Sequence, residues 1–419
     1  MKKIYIKNYK GFDEQIIELK DVNFFVGENS TGKTSILKLI NIINSREFWF
    51  DGQFNNSEVD LGYFDEIINR NSSDNFFRIG VEIPDNEKKS FIRVLLEFKE
   101  HKSIPKISQI KYQTKNVDSL MEITKNQIRY YTRVITDSPF LDWSQDFNYG
   151  KSIKSDDISS DDKLPLFILF SFLEKEFGNA NKLTSIPFAV EPLLYKRFLW
   201  IAPVRAKAKR IYESYDVKFS PEGEHIPSLL KVLFSNQNKK EFARIIKILN
   251  QFGQESNLYD EIYIKNYGTK TTSPFEIVVK YDNTEIKLPN VGYGVSQSLP
   301  LVVEILSSKN CCFSIQQPEV HLHPRAQAAF GSFLFNAATK DNNTFLIETH
   351  SDFTINRFRY SLSKKEKSRV SSQVIFFERE KHTNTISHLE INSNGSFASD
   401  VPISYREFFI GEELQLLEL

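Results

Sequence analysis

The sequence has 419 residues, of which 40% are hydrophobic and 26% are charged, so it can build a large core and is expected to form two lobes. Its 36 Phe and 17 Tyr residues are typical of a folded protein and exclude a chain that is disordered throughout. Lys plus Arg equals Asp plus Glu at 54 each, so the overall charge does not identify a nucleic-acid-binding protein, although a local basic face stays open.

Cysteine usage and hydropathy predict a cytoplasmic protein. The two cysteines, Cys311 and Cys312, are adjacent in an apolar run, so they are expected to be small buried residues rather than a disulfide. The first residues lack the apolar region of a signal peptide. The longest apolar stretch, residues 164–173, is too short to cross a bilayer, so no membrane contact is expected.

The first hundred residues alternate strand patterns with one helix pattern. Strands are expected at residues 3–6, 15–19, 22–26, 76–83 and 91–98. The run 22–26 is wholly apolar and predicts a buried strand. A Gly-rich turn follows it and leads into residues 34–43, whose amphipathic pattern predicts a helix.

The middle of the chain carries no motif. Residues 151–163 are poor in apolar side chains and predict an exposed loop, and their neighbours look helical. No sustained heptad pattern predicts a coiled coil. The expectation is a mostly helical insertion at 101–197, which divides an ATPase head into halves at 1–100 and 198–419.

Strand and helix patterns alternate again after the insertion. Strands are expected at 199–202, 275–281, 311–315, 344–347, 374–378 and 386–391, and helices at 296–306, at 325–338 and from Ser351 onward. This alternation predicts an α/β domain with a mixed, largely parallel sheet.

A phosphate-binding loop is the clearest motif. The segment from Gly27 to Thr34 has the complete pattern G-x-x-x-x-G-K-[ST], after a buried strand and before a helix. In such loops backbone N–H groups surround the phosphates, the lysine (Lys33) reaches the β- and γ-phosphates, and the hydroxyl of Thr34 binds Mg²⁺. The residues expected to bind ATP here are Asn29, Ser30, Thr31, Gly32, Lys33, Thr34 and Ser35.

Three further clusters carry a resemblance to a known family. They are VGYGVSQSLP at 291–300, CFSIQQPEVHLHP at 312–324 and FLIETHS at 345–351. In order and spacing they resemble the signature loop, the Walker B strand with its D-loop, and the switch histidine of ABC-type ATPase heads, in the group of overcoming-lysogenization-defect, RecF and Rad50 proteins. One subgroup, the bacterial defence ATPases that include the ATPase subunit of Septu systems (PtuA), is similar also at residues 200–206, 223–224, 352–357 and 402–409. The resemblance covers about residues 1–100 and 198–419.

The resemblance implies an ABC-ATPase head of the P-loop NTPase type that works as a homodimer or higher homo-oligomer. Gly292, Gly294 and Ser296 would form the signature turn and cap the γ-phosphate of a nucleotide held by a second copy. His350 would contact the γ-phosphate as the switch residue; taken alone, a core histidine at a strand end would be the better interpretation.

The Walker B segment departs from the family pattern. Gln316 and Gln317 occupy positions that usually carry acids, where the first acid positions Mg²⁺ and the second polarises the attacking water. An amide has no negative charge and cannot accept that proton. ATP binding with slow or absent hydrolysis is therefore expected, although Glu319 or Glu348 could substitute from another position.

Other polar residues leave alternatives open. Arg205 lies in the family motif and is expected to contact the nucleotide, whereas the basic residues at 207–210 are slightly better read as a solvated loop than as a contact to DNA phosphates. His321 and His323 have the spacing of metal ligands, but no third ligand is near in sequence, so a structural turn at the dimer face is favoured.

Three functions compete. A complete nuclease would need a Toprim domain of about 100 residues, and too few residues follow His350 for it, so any nuclease is expected on a separate chain. A DNA-repair ATPase of the RecF or Rad50 type is the alternative, but coiled-coil heptads are missing. The favoured interpretation is an ATP-binding scaffold of an anti-phage defence complex, whose partner, by resemblance, is an HNH endonuclease, with DNA contact through the complex.

Overall fold

The computed structural model describes residues 2–85, 90–113, 117–123, 128–134, 143, 152–155, 194–195, 197–213, 217–235, 240–270, 272–365 and 369–416. These residues divide between two compact units. The first unit comprises Met1–Lys20, Glu28–Lys196 and Phe377–His388, and the second comprises Asp21–Gly27, Arg197–Phe376 and Leu389–Leu419.

The elements of the first half follow in chain order. They are β1 (Lys2–Tyr9), β2 (Phe12–Leu19), β3 (Val22–Gly27), α1 (Lys33–Ile43), α2 (Arg46–Asp51), α3 (Phe64–Ile67), β4 (Phe76–Asp85), β5 (Ser90–His101), β6 (Ile104–Gln113), β7 (Val117–Ile123), β8 (Ile128–Val134) and β9 (Ser152–Ser155).

The second half begins with a short strand and continues with strands and helices in alternation. Its elements are β10 (Phe198–Ile201), α4 (Ile226–Ser235), α5 (Lys240–Ser256), β11 (Glu261–Asn266), β12 (Phe275–Tyr281), β13 (Thr284–Lys287), α6 (Tyr293–Ser307), β14 (Cys312–Gln316), α7 (Pro324–Lys340), β15 (Thr344–Glu348), α8 (Asp352–Ser363), β16 (Ser372–Glu380), β17 (Thr383–Ile391) and α9 (Ile403–Leu416).

An antiparallel sheet forms most of the first unit. Its eight strands follow the order β2-β1-β4-β5-β6-β7-β8-β9. Aromatic rings fill the core of this unit: Phe77 stacks on Phe98 with centroids 5.1 Å apart, and Phe54 meets both rings edge-on. Such pairs add about 0.5–1.5 kcal/mol each beyond the burial of their area.

The second unit is built on a largely parallel sheet. The strand order of this six-stranded sheet is β10-β14-β15-β3-β16-β17, and the first four strands pair in parallel. All six residues of β3 are buried, as the apolar run predicted, because a parallel strand is covered on both faces. A smaller antiparallel sheet, β11-β12-β13, packs its apolar side chains into the core of the same unit. The predicted α/β architecture is confirmed.

The prediction of helices after residue 100 is wrong for the described part of residues 101–197. The described residues form β6 to β9, which extend the antiparallel sheet by hairpins. Ile107, Ile110, Tyr112 and Ile123 are among the β-branched and aromatic residues of these strands, and such side chains fit a pleated surface better than a helix. The loop predicted at 151–163 is a strand at Ser152–Ser155; its other residues and the helices expected beside it lie outside the described residues.

Candidate nucleotide-binding site

The phosphate loop joins a buried strand to a helix, as the motif predicted. β3 ends at Gly27 in the second unit, and residues from Glu28 onward belong to the first unit. Gly32 has a φ of 98° and forms the N-cap of α1, which begins at Lys33. A side chain at position 32 would bring its Cβ within 2.5 Å of the buried ring of Phe12, so this turn accepts only glycine.

Hydrogen bonds within the loop hold it in shape. The carbonyl oxygen of Glu28 accepts a bond of 2.8 Å from the Thr31 hydroxyl and one of 2.6 Å from Nζ of Lys33. Lys33 is 3% exposed, whereas Asn29 and Ser30 at the rim are exposed. The lysine is thus folded against the loop, where its charge and the N-terminus of α1 favour an anion.

The remaining predicted residues of the loop lie in the first turn of α1. Thr34 and Ser35 are half-buried. Tyr9 is fully buried behind them, and its hydroxyl donates to the carbonyl oxygen of Ser35 at 2.9 Å. Burial raises the pKa of the Tyr9 phenol far above its ordinary value, so the group stays neutral and keeps its proton for this bond.

In the second unit, the predicted Walker B strand ends beside an acid of the next strand. Gln316 is the last residue of β14, and it pairs in register with Glu348, the last residue of β15. Nε2 of Gln316 donates to Oε2 of Glu348 over a long 3.4 Å, and both residues are buried. Gln317 then turns out of the sheet with a left-handed φ of 43°, and its N–H donates to the carbonyl oxygen of Glu348 at 2.8 Å.

Glu319 ties the Walker B turn to the switch segment. One carboxylate oxygen accepts from the Thr349 hydroxyl at 2.9 Å, and the other accepts from the backbone N–H of His350 at 2.7 Å. Burial raises the pKa of Glu319. The hydrogen bonds from His350 and Thr349 oppose this rise, and the nearby charge of Glu348 adds to it. The predicted switch residue is therefore positioned through its main chain, and its half-buried ring lies 6.0 Å from that of Phe408.

Arg205 is a buried cation with unused donors. It is 2% exposed, and within the described part of the chain its Nε and Nη2 atoms have no hydrogen-bond partner. Burial lowers its pKa to about 10, and the charge of Glu319 opposes that shift. A buried guanidinium with two open donors is arranged to receive an oxyanion such as a phosphate. Lys207, Lys209 and Arg210, by contrast, are exposed.

The predicted signature turn begins α6. Gly292 is its exposed N-cap, and no atom lies within 4 Å of the Cβ that a side chain would add there. A Cβ on Gly294 would lie 2.9 Å from the carbonyl oxygen of His321. Packing within the chain therefore requires a glycine at position 294 but not at position 292. The hydroxyl of Ser296 is held by the carbonyl oxygen of Tyr293 at 2.9 Å.

The two histidines after the Walker B strand shape a turn. His321 has a left-handed φ of 67°, and its ring meets that of Tyr293 edge-on at 4.6 Å. His323 is the N-cap of α7, where its Nδ1 accepts from the N–H of Ala326 at 3.4 Å. No group of three or more potential metal-ligating side chains occurs among the described residues.

Sequence reasoning missed Gln297, whose side chain fixes the main chain of Arg205, and it left the roles of Glu319 and Glu348 open. Both glutamates lie inside the recognised motifs, so the sequence alone indicates that they are near the site. Their contacts depend on pairing between segments about thirty residues apart, for which the sequence carries no signal.

Solved structures with a similar arrangement have low sequence identity. The Smc head bound to the C-winged helix domain of ScpA has a TM-score of 0.45 and 10% identity, over 93% of this chain and 97% of that one. The SMC head domain of Thermotoga maritima has 0.44 and 12%, over 93% and 98%. The Smc head domain with an extended coiled coil, bound to the C-terminal domain of ScpA and derived from Pyrococcus furiosus, has 0.44 and 9%, over 100% and 99%.

Among curated proteins, none matches the sequence significantly. No helix of the described residues is long and apolar enough to cross a membrane. The family model described as AAA ATPase domain matches residues 1–355. That match covers most of the sequence and includes both the phosphate loop and the strands that end at Gln316 and Glu348, and the chain therefore belongs to the AAA ATPase domain family.

Proposed function

We propose that this protein is an ATP-binding regulatory scaffold that binds Mg²⁺–ATP tightly and hydrolyses it slowly or not at all. The observation that carries the proposal is a contrast within one chain. The phosphate loop has every residue that its motif requires, with Lys33 buried against it. The end of the Walker B strand, however, presents the amides of Gln316 and Gln317.

An amide at these two positions changes the chemistry, not the fold. Gln317 cannot take a proton from an attacking water at neutral pH, so general-base catalysis is lost at that position. Glu319 stands two residues further on, and hydrogen bonds from Thr349 and from the N–H of His350 fix its carboxylate against the switch segment rather than at position 317. Binding energy remains, and a nucleotide that binds one assembly state better than another shifts the equilibrium between them.

Mg²⁺ fits the oxygen donors that the motifs present. The hydroxyl of Thr34 stands in the first turn of α1, directly after Lys33, and would bind Mg²⁺ beside the phosphate loop. Hydroxyl, carboxylate and amide oxygens are the ligands that Mg²⁺ prefers, either directly or through its waters.

The nucleotide is proposed to join two copies of the chain. Gly292, Gly294 and Ser296 would cap the γ-phosphate of a nucleotide held by the phosphate loop of the partner copy. The open space at Gly292 and the buried, unsatisfied guanidinium of Arg205 support an oxyanion on this unit. The switch residue, His350, would sense the same phosphate.

The biological setting rests on the resemblance to Septu-type defence ATPases. In that setting the chain assembles and restrains a separate HNH endonuclease, and its nucleotide state or phage DNA sets the restraint. An active DNA-repair ATPase of the RecF or Rad50 type is the second candidate. Co-purification with an HNH protein encoded next to this chain supports the first, whereas robust DNA-stimulated turnover without such a partner supports the second.

The first experiment measures ATP binding and phosphate release on the same preparation, with and without Mg²⁺. Wild type, Lys33→Ala and Lys38→Ala are compared, because Lys38 lies half-exposed on the same helix and serves as the matched control. Binding that Lys33→Ala abolishes and Lys38→Ala preserves, with phosphate release at background, is expected. Sustained phosphate release that depends on Lys33 would contradict the assignment of Gln316 and Gln317.

A further inference from the structure

One exposed face of the helix that follows the switch segment combines aromatic and basic side chains. α8 carries Phe353 and Tyr360, which are 47% and 57% exposed, and Arg357, which is also exposed. Its C-cap residue, Lys364, is exposed as well. The four residues are spaced by four, three and four positions, so at 3.6 residues per turn they lie within about 60° of one another around the helix. We call these four residues the α8 stripe.

The opposite face of α8 is packed into the core of the second unit. Its buried residues are Thr354, Ile355, Phe358 and Leu362. The ring of Phe358 meets that of Phe24 edge-on at 5.3 Å and that of Phe335 edge-on at 5.8 Å. A Cβ on Gly331 of α7 would clash with the carbonyl oxygen of Thr354, so the two helices are in close contact. This packing fixes the orientation of α8 and directs the stripe to solvent.

Positive charge is concentrated at the C-terminal end of the stripe. Residues 364–369 include four basic side chains and one acid, in a sequence whose formal net charge is zero. Nζ of Lys364 lies 5.2 Å from the ring centroid of Tyr360, so a cation and an aromatic face lie side by side at the surface. α8 itself has one acid, Asp352, in its first turn. The face is therefore complementary to a polyanion, and its exposed rings suit a ligand with flat apolar surfaces.

A single strand of nucleic acid has both of these properties. Its bases stack on exposed aromatic rings, and Lys and Arg side chains neutralise its phosphates. A duplex hides the faces of its bases, and two rings hold too few bases to offset the opening of several base pairs. RNA loops, by contrast, present bases that are already unpaired. The chemistry of the stripe therefore favours unpaired RNA over duplex DNA.

We infer that the α8 stripe binds unpaired RNA. Bases stack on Phe353 and Tyr360, and the phosphates of the same strand are neutralised by the two cations. The rings are seven residues apart, about 10.5 Å along the helix axis, and Arg357 and Lys364 have the same separation. This function goes beyond the proposed ATP binding and does not depend on it. Because α8 begins two residues after His350, bound RNA would occupy the helix that continues from the switch segment.

The rings are tested by the fluorescence anisotropy of a labelled oligouridine of about twelve nucleotides, a length within the usual range of single-strand-binding sites. Wild type is compared with Phe353→Ala, Tyr360→Ala and the control Tyr281→Ala, whose tyrosine is 38% exposed at the end of β12. Each stripe variant should lose at least about fivefold in affinity, because a stacked base is lost, whereas the control should bind as the wild type does. Since all three side chains are exposed, the melting temperatures should stay nearly unchanged.

The cations are tested by the salt dependence of the same binding. Arg357→Gln and Lys364→Gln should each lower the slope of log affinity against log salt concentration by about 0.7, as expected when one phosphate contact to a single strand is lost. Lys340→Gln, at the exposed last residue of α7, is the matched control and should leave the slope unchanged. The ring variants should lower affinity without changing the slope, a difference that general damage to the protein would not produce.

Absence of wild-type binding to the oligouridine at low salt overturns the inference, as does an equal loss of affinity in Tyr281→Ala or Lys340→Gln. Duplex RNA that binds as tightly as the single strand, without an effect of the ring variants, would reduce the stripe to a general basic surface. Much tighter binding of an oligothymidine of the same length would assign the stripe to single-stranded DNA instead. ATP binding that depends on Lys33 is measured separately and stands under each of these outcomes, so the two proposals can fail independently.

Discussion

The side-chain amide of Gln297 makes hydrogen bonds to both the backbone N–H and the backbone carbonyl oxygen of Arg205. Its Oε1 accepts from the Arg205 N–H at 3.1 Å, and its Nε2 donates to the Arg205 carbonyl oxygen at 3.4 Å. Gln297 follows Ser296 on α6, so a residue in the first turn after the predicted signature fixes the loop that carries the buried guanidinium. The arrangement holds a charge in place although, in the described chain, Nε and Nη2 have no hydrogen-bond partner.

Arg205→Met should make the nucleotide-free protein more stable and the ATP complex weaker. A buried donor without a partner costs about 1–3 kcal/mol, and methionine fills a similar volume without that cost. We expect a gain in the free energy of unfolding within that range, measured by urea denaturation at pH 7. The same variant should lose at least about tenfold in ATP affinity if two charge-assisted bonds are lost.

The lowered pKa of Arg205 determines how the free energy of unfolding changes with pH. Its folded pKa of about 10 is below the ordinary pKa of an arginine, so at neutral pH the side chain is charged in both the folded and the unfolded state and the full cost of burying the charge is present. That cost is lost only as pH rises through about 10 and above. Arg210→Met, at an exposed position in the same loop, is the control and should change neither the free energy of unfolding nor the affinity for ATP. A destabilised Arg205→Met protein would show that the guanidinium has structural partners.

Gly32→Ala should destabilise the first unit and abolish ATP binding. The left-handed backbone alone costs a side chain about 1–2 kcal/mol, and here the added Cβ also meets Phe12 at 2.5 Å. Gly52 is the matched control, because its φ is also positive at 65° but no atom lies within 4 Å of its added Cβ. Gly52→Ala should therefore show the backbone cost alone and keep ATP binding, as measured by thermal unfolding and nucleotide titration.

Glu319→Gln should change how stability depends on pH. Burial raises the folded pKa of Glu319 above the ordinary 4.5, so just above pH 4.5 the folded state holds a proton that the unfolded chain has released. Stability of the wild type therefore falls as pH rises through this window, whereas the neutral amide does not titrate. We expect the unfolding free energy of the wild type to fall relative to that of Glu319→Gln as pH rises above 4.5, as measured by urea denaturation at a series of pH values. Parallel curves would contradict the raised pKa.

Much of the fold was readable because each motif lay between strong local patterns. The apolar run at 22–26 and the Gly-rich turn after it locate β3 and α1 without any tertiary information. The helix Lys240–Ser256 was missed although its apolar residues Phe242, Ile245, Leu249 and Phe252 recur at helical spacing. The position of this helix is therefore predictable from the sequence.

Other features exceed what one sequence can specify. The residue types of β6 to β9 favour strands, but which strand pairs with which is decided by the ladder of successive hairpins and not by a local pattern. In the site, the pairing of Gln316 with Glu348 depends on the register between β14 and β15. A shift of one residue would turn that carboxylate to the other face of the sheet, and no local pattern reports the register of two parallel strands.

The two glycines of the signature turn offer a test of the proposed dimer. A methyl group at Gly292 meets no atom within 4 Å, and the φ of −56° suits alanine, so Gly292→Ala should leave the melting temperature nearly unchanged. The same methyl group would project from an exposed turn into the space that the γ-phosphate of a partner's nucleotide is proposed to fill. ATP-dependent dimerisation, measured by light scattering after size exclusion, should therefore be lost.

Gly294→Ala separates this effect from simple damage to the turn. Its Cβ would come within 2.9 Å of the carbonyl oxygen of His321 inside the same chain, so this variant should lose stability even without nucleotide. A dimer lost only through Gly294→Ala would show that the turn must merely be well folded. A dimer lost through Gly292→Ala at unchanged stability requires a second body at that surface, because nothing in the described part of the chain fills the space that the methyl group would take.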